Sequence, residues 1–158
     1  MLYRLLSFGS DFREIKLDCE RMFKVISKMA GKEFYLISGR DIKQGSSMEK
    51  FGKLSPEYAE VVSKLEIHPD DLSAIGVSDG ETIKISSAEG SVIGVAKSST
   101  NVEPGMVFIA YGPWSSILSA SYTHGTGMPD YKSVKVTVEK AAGEKVPTVE
   151  EVVKMMIK

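Results

Sequence analysis

A chain of 158 residues, 42% of them hydrophobic, can bury one good core, so one domain with short appendages is the natural count. The formal net charge of −1 and pI near 6.2 leave no basic field for nucleic acid and no polybasic patch for a membrane. A single cysteine, Cys19, excludes an intrachain disulfide framework and points to a reducing compartment; the opening run Met1 to Phe8 is too short, and too soon followed by Asp11, Arg13 and Glu14, for a signal peptide or membrane span, so a soluble, cytoplasmic protein is expected.

In chain order, Ser10 or Asp11 caps a predicted helix with apolar residues at Phe12, Ile15, Cys19, Met22, Phe23, Ile26 and Met29, ended by Gly31. Cys19 lies on that apolar stripe and reads as a small buried hydrophobe. Residues 1–32 are thus a helical extension, and Met29 is an alternative start that would make residues 1–28 an appendage. From Glu33 the pattern changes to a strand, Phe34-Tyr35-Leu36-Ile37, which leads into a polar run from Ser38 to Ser47. Arg40, just past the strand end, suits a bidentate contact to phosphate, with Gly39 and Gly45 allowing close backbone approach; the other reading is an exposed Arg in a polar turn.

Ser55-Pro56 opens a short helix that buries Tyr58, Val61, Val62 and Leu65. Leu65-Glu66-Ile67 alternates as a strand, and Pro69 to Ile75 reads as two helical turns begun by Asp70 and Asp71 and stopped by Gly76. His68 stands at the N-cap position of that helix and reads as structural. Thr82 to Ser86 and Ser91 to Ala96 alternate about Glu89-Gly90 as a β-hairpin, and Met106 to Ala110 is a buried strand after the turn Val102-Glu103-Pro104-Gly105.

Tyr111 to Tyr131 then holds the only Trp and one of the two His residues in a run of small residues. A polar, Gly-bearing segment of about 20 residues between apolar strands is commonly functional. Its hydroxyls and backbone N–H groups suit a polar ligand, and Trp114 offers a flat face to an aromatic ring; the alternative is a Ser/Gly-rich surface loop with the Trp folded back on the core. Val134, Val136 and Val138 mark a last strand. Residues 141–158 form a linker and a short helix opened by the capping box Thr148-x-x-Glu151. Five or more short strands joined by one-turn helices predict a closed or nearly closed β-barrel, mainly β, rather than a βαβ sheet.

The order of S-G-R-D-I-K-Q-G, I-H-P-D-D-L-S-A-I-G-V-S-D-G-E-T-I-K-I-S-S-A-E-G-S-V, V-E-P-G-M-V-F-I, the G-P-W loop and P-D-Y-K-S-V-K-V resembles the molybdopterin-dinucleotide-binding domain of molybdenum and tungsten oxidoreductases. Within that family the likeness is greatest to the small separate chain of tungsten or molybdenum formylmethanofuran dehydrogenase in which this domain stands apart from the catalytic subunit. The resemblance covers about residues 33–140 and implies a double-psi β-barrel with N- and C-terminal helical appendages. It also implies molybdopterin guanine dinucleotide, in its tungsten or molybdenum form, shared with a larger catalytic subunit of the same complex, in which CO2 and formylmethanofuran are interconverted. Matched position by position, the cofactor contacts fall on Ser38, Gly39, Arg40, Asp41, Gln44 and Gly45, then on Gly112, Pro113, Trp114, Ser115 and Ser116, and on Thr123, His124, Gly125 and Thr126. Ser116 departs from the family pattern, which often has Asn there.

No catalytic residue and no metal ligand is expected from this chain. It has no C-x-x-C or H-x-x-x-H, and Asp70-Asp71 read as helix-dipole partners, so the metal's protein ligand and the iron–sulfur cluster are assigned to the partner. The contrasting possibility is a double-psi barrel that recruits proteins without a cofactor; it would have no need of the Arg40 loop or of the G-P-W to G-M-P loop. If both loops form one site, segments 38–47 and 112–129 must lie side by side at one end of the barrel.

Overall fold

The computed structural model describes residues 31–129 and 131–157; the helix predicted before Gly31, with Cys19 on its stripe, lies outside them. Among the described residues six strands follow the period-2 patterning: β1 (Lys32–Gly39), β2 (Lys64–Ile67), β3 (Thr82–Ser86), β4 (Ser91–Ser98), β5 (Met106–Ala110) and β6 (Lys132–Lys140). Each sends alternate side chains inward. Phe34 and Leu36, Leu65 and Ile67, Ile83 and Ile85, Val107 and Ile109, and Val136 and Val138 fill one core.

The strands close into a barrel in the order β1-β5-β2-β4-β3-β6. β1 with β5 and β2 with β4 run parallel, and the other neighbours are antiparallel. This mixed closed barrel, with short helices in its crossovers, is the double-psi fold the motif order implies. Closure leaves no free strand edge.

The helices are α1 (Ile42–Phe51), α2 (Pro56–Val62), α3 (Pro69–Ile75), α4 (Pro113–Leu118) and α5 (Val149–Met156). Their caps are local and legible. Ser55 Oγ accepts from Tyr58 N–H at 3.1 Å, and His68 Nδ1 accepts from Asp70 N–H at 3.3 Å, so His68 is the structural cap expected. Gly76 ends α3 in the left-handed region, at φ 67°, where a side chain is disfavoured. Thr148 and Glu151 make a reciprocal capping box on α5. An isolated eight-residue helix is unstable in water, and α5 is held by seating Val149 and Val152 in the core.

One polar residue ties distant segments together. Asp71, 4% exposed, accepts from Lys32 Nζ at 2.6 Å and from Gly105 N–H at 2.7 Å, joining α3 to the start of β1 and to the turn before β5. Among the described residues, no helix is long and apolar enough to cross a membrane.

Candidate functional site

Strand direction builds the site. Because β1 and β5 are parallel, with Gly39 opposite Ala110, the segments leaving both strands emerge at the same end of the barrel. Tyr111 N–H donates to Gly39 C=O at 2.8 Å. β6 runs antiparallel to β1 and starts there, its approach fixed by Ser38, whose N–H and Oγ both donate to Tyr131 C=O, at 3.1 and 2.7 Å. The rings of Tyr111 and Tyr131 meet edge to face at 5.2 Å between the roots. The two candidate segments therefore spring from one end of the barrel, as a shared site requires.

The first segment is not a loop throughout. Gln44 and Gly45 lie in the opening turns of α1, which Asp41 caps by accepting from Lys43 N–H at 2.7 Å. Gly39 is small for packing, since a Cβ there would stand 3.1 Å from the Phe108 ring, whereas one on Gly45 would meet nothing within 4 Å. Gly45 thus leaves the surface of α1 open to close approach. Arg40 is exposed and, among the described residues, makes no ion pair or hydrogen bond.

The second segment needs a larger correction. Trp114 is fully buried and its indole N–H donates to Ile93 C=O at 2.8 Å, so its ring is core and offers no face to a ligand. Pro113 starts α4, a position where its missing N–H costs nothing. Ser115, buried too, accepts from Gly112 N–H at 3.0 Å and donates to Gly112 C=O at 2.9 Å. Gly112 passes so near α2 that a Cβ would lie 3.0 Å from Val62 Cβ. These four residues form the corner that turns β5 into α4. Ser116 is exposed on the same turn, its hydroxyl 3.1 Å from Gly112 C=O.

Thr123 to Gly127 forms the outer part of the site. Thr126 donates through both N–H (2.8 Å) and Oγ1 (2.6 Å) to Thr123 C=O, and Met128 N–H donates back to Thr126 Oγ1 at 3.3 Å. Gly125 and Gly127 sit at φ 78° and 76° with open space where a Cβ would be. His124, itself at φ 50°, sets its ring 4.5 Å from Tyr122, edge to face.

Sequence reading missed a small hollow of about 80 Å³ beside Asp41, lined by Lys43, Lys64, Glu66, Lys97 and Phe108 among others. Lys97 pairs with Glu66 at 2.5 Å and Lys64 with Glu60 at 2.9 Å. The Lys64 ammonium, by its hydrogen bond and its charge, holds the Glu60 carboxyl below its ordinary range. Lys43 has no ion-pair partner among the described residues. Nothing in the sequence marks these residues as neighbours, because β2, β4 and β5 meet only through the barrel register.

An uncommitted guanidinium, a lysine in the first turn of α1, open glycine backbone and exposed hydroxyls suit an extended polar ligand carrying phosphate. No group of three His, Cys, Asp or Glu side chains among the described residues is placed to hold a metal ion. The fold and site define a closed barrel with a candidate binding surface formed by the segments that leave one end of it. The chain belongs to the family described as "Molydopterin dinucleotide binding domain", whose model matches residues 34–135. It is similar to Protein FwdD of Methanocaldococcus jannaschii, 36% identical over 116 residues, or 71% of this chain and 86% of that one. It is also similar to a subunit of molybdenum-containing formylmethanofuran dehydrogenase 1 from Methanothermobacter thermautotrophicus, 33% identical over 131 residues, or 82% of this chain and 32% of the relative. The chain thus spans about a third of that relative's length. Among solved structures, acetylene hydratase from Pelobacter acetylenicus aligns with a TM-score of 0.51 over 88% of this chain and 21% of that one; at 13% identity the likeness is of fold alone.

Proposed function

We propose that this chain is the cofactor-orienting subunit of a cytoplasmic tungsten or molybdenum formylmethanofuran dehydrogenase, holding molybdopterin guanine dinucleotide at its loop end against a larger catalytic subunit. The observation that carries this reading is Arg40, an exposed cation with no partner among the described residues, set where the roots of β1, β5 and β6 meet. Family membership and the likeness to FwdD and to the Methanothermobacter dehydrogenase chain support it. When bound, the metal pterin supplies the two-electron chemistry that interconverts CO2 and the formyl group of formylmethanofuran.

The chain's own residues bind and orient. Arg40 donates a fork of N–H groups to a phosphate, and Lys43 adds charge at the first turn of α1. Gly45, Gly125 and Gly127 let the ligand approach the backbone, while Ser116, Thr123, His124 and Thr126 supply polar contacts along it. Asp41 commits one carboxylate oxygen to the α1 cap and keeps the other as an acceptor for guanine N–H groups. Gly39, Gly112, Pro113, Trp114 and Ser115 act beneath, by fixing the corner, and Ser38 by anchoring Tyr131. The metal's protein ligand and an iron–sulfur cluster come from the larger partner.

Arg40→Ala tests the reading. Nucleotide released from the purified, assembled complex should fall with an affinity loss of about 10- to 100-fold, the scale of a charge-assisted bidentate contact. The isolated chain should keep its stability within about 0.5 kcal/mol. Full cofactor content in the variant complex would refute the role given to Arg40.

A further inference from the structure

The described helices cover the barrel wall unevenly. α4 seats Trp114 over β4 at Ile93, and α2 lays Val62 against Gly112 beside β5. Over β1 and the outer part of β5 none of these helices packs on the outward side chains, of which Tyr35 and Met106 are exposed and Ile37 and Phe108 half-buried. Tyr35 and Met106, 48% and 38% exposed, are side by side in the parallel register, as are Ile37 and Phe108. Lys135 flanks Tyr35 on β6, and Glu66 flanks Phe108 on β2. Met106 stands as a ridge between two hollows, one of about 350 Å³ along Glu33, Tyr35, Pro104 and Lys135, the other of about 450 Å³ along Ile37, Val102, Glu103 and Phe108. An apolar stripe with a charged rim and a hollow on either side is the anatomy of a protein interface.

Two observations say what covers it. The stripe runs without a break into the candidate site, because Phe108 packs against Gly39 and the next residues of the two strands lead to Arg40 and to Gly112. A body seated over the loop end therefore reaches the stripe directly. In the Methanothermobacter relative, moreover, the shared region is only 32% of the chain, so the same domain is there one part of a polypeptide about three times its length. The closed barrel has no edge to accept an added strand, so the contact must be side chains packed on the face.

We propose that the outer face of β1 and β5 docks the larger cofactor-bearing subunit, which inserts one apolar side chain on each side of Met106. This rests on the reading of the chain as a cofactor-binding subunit. The test uses the full chain and the purified catalytic subunit loaded with cofactor. In hydroxyl-radical footprinting, Tyr35 and Met106 should lose most of their oxidation on complex formation, while Met155, exposed on α5, keeps its rate. Met106→Glu should raise the dissociation constant about 100-fold, the scale of losing a central anchor, with the melting temperature of the isolated chain held. A wild-type chain that binds with Tyr35 and Met106 still oxidised would overturn the docking face and leave the subunit reading standing. Protection of both residues in the chain alone would show the stripe to be covered without the catalytic subunit and overturn it too. Failure of the wild-type chain to bind its catalytic partner at all would sink the subunit reading and this proposal with it.

Discussion

Trp114→Ala should unfold the barrel far more readily than it alters any surface contact, with a loss of about 3–5 kcal/mol in chemical denaturation. The indole is wholly enclosed, and alanine leaves a cavity bounded by α4 and the outer side of β4 while depriving Ile93 C=O of its donor at 2.8 Å. Trp114→Phe keeps most of the apolar volume and removes the N–H, so its cost should be smaller, about 1–3 kcal/mol for the carbonyl left unpaired. In an assembled complex, cofactor content should fall only in step with the folded fraction. If Trp114→Ala released the cofactor at unchanged melting temperature, Trp114 would be a ligand contact after all, and the burial argument would fail.

Asp71→Ala should be the second large effect, about 2–3 kcal/mol, because it strands a Gly105 N–H and a lysine at a buried junction; the half-exposed Lys32 keeps the figure below that of a fully buried pair. Burial pushes the Asp71 carboxyl up, but the Lys32 ammonium and the Gly105 N–H outweigh it and hold the group below its ordinary range. A carboxyl lowered in the folded state contributes stability that is complete above its unfolded pKa, about 3.9, and is lost as pH falls through the lower folded value. The wild-type chain should therefore lose stability on acidification over that window more steeply than Asp71→Asn, and the two melting curves should converge below it. Parallel acid limbs for the two proteins would show that Asp71 is not held ionised by the fold.

The sequence by itself determined the strands, most of the caps and the family. Val134, Val136 and Val138 are legible because alternate residues of a strand face one side, and β1 and β6 prove longer than the apolar runs because backbone pairing continues past the last buried side chain. Ser55, His68, Gly76 and Thr148 are legible because capping is settled within a few residues of chain. Reading residues 38–47 as a loop failed for a physical reason: Gly45, Ser46 and Ser47 have low helix propensity, and α1 exists because Asp41 caps it and Ser47 and Met48 turn toward the protein. The direction of Trp114 was equally closed to sequence reading, since its partner is a backbone carbonyl 21 residues away. Only the tertiary structure decided which members of the G-P-W-S-S motif build the corner and which face outward. It also decided that Lys64, Glu66 and Lys97 gather beside Asp41, and that Tyr35, Ile37, Met106 and Phe108 share one outer face of the barrel. These are consequences of the register between strands distant in sequence, above all the parallel pairing of β1 with β5, and no local pattern of residues encodes that register.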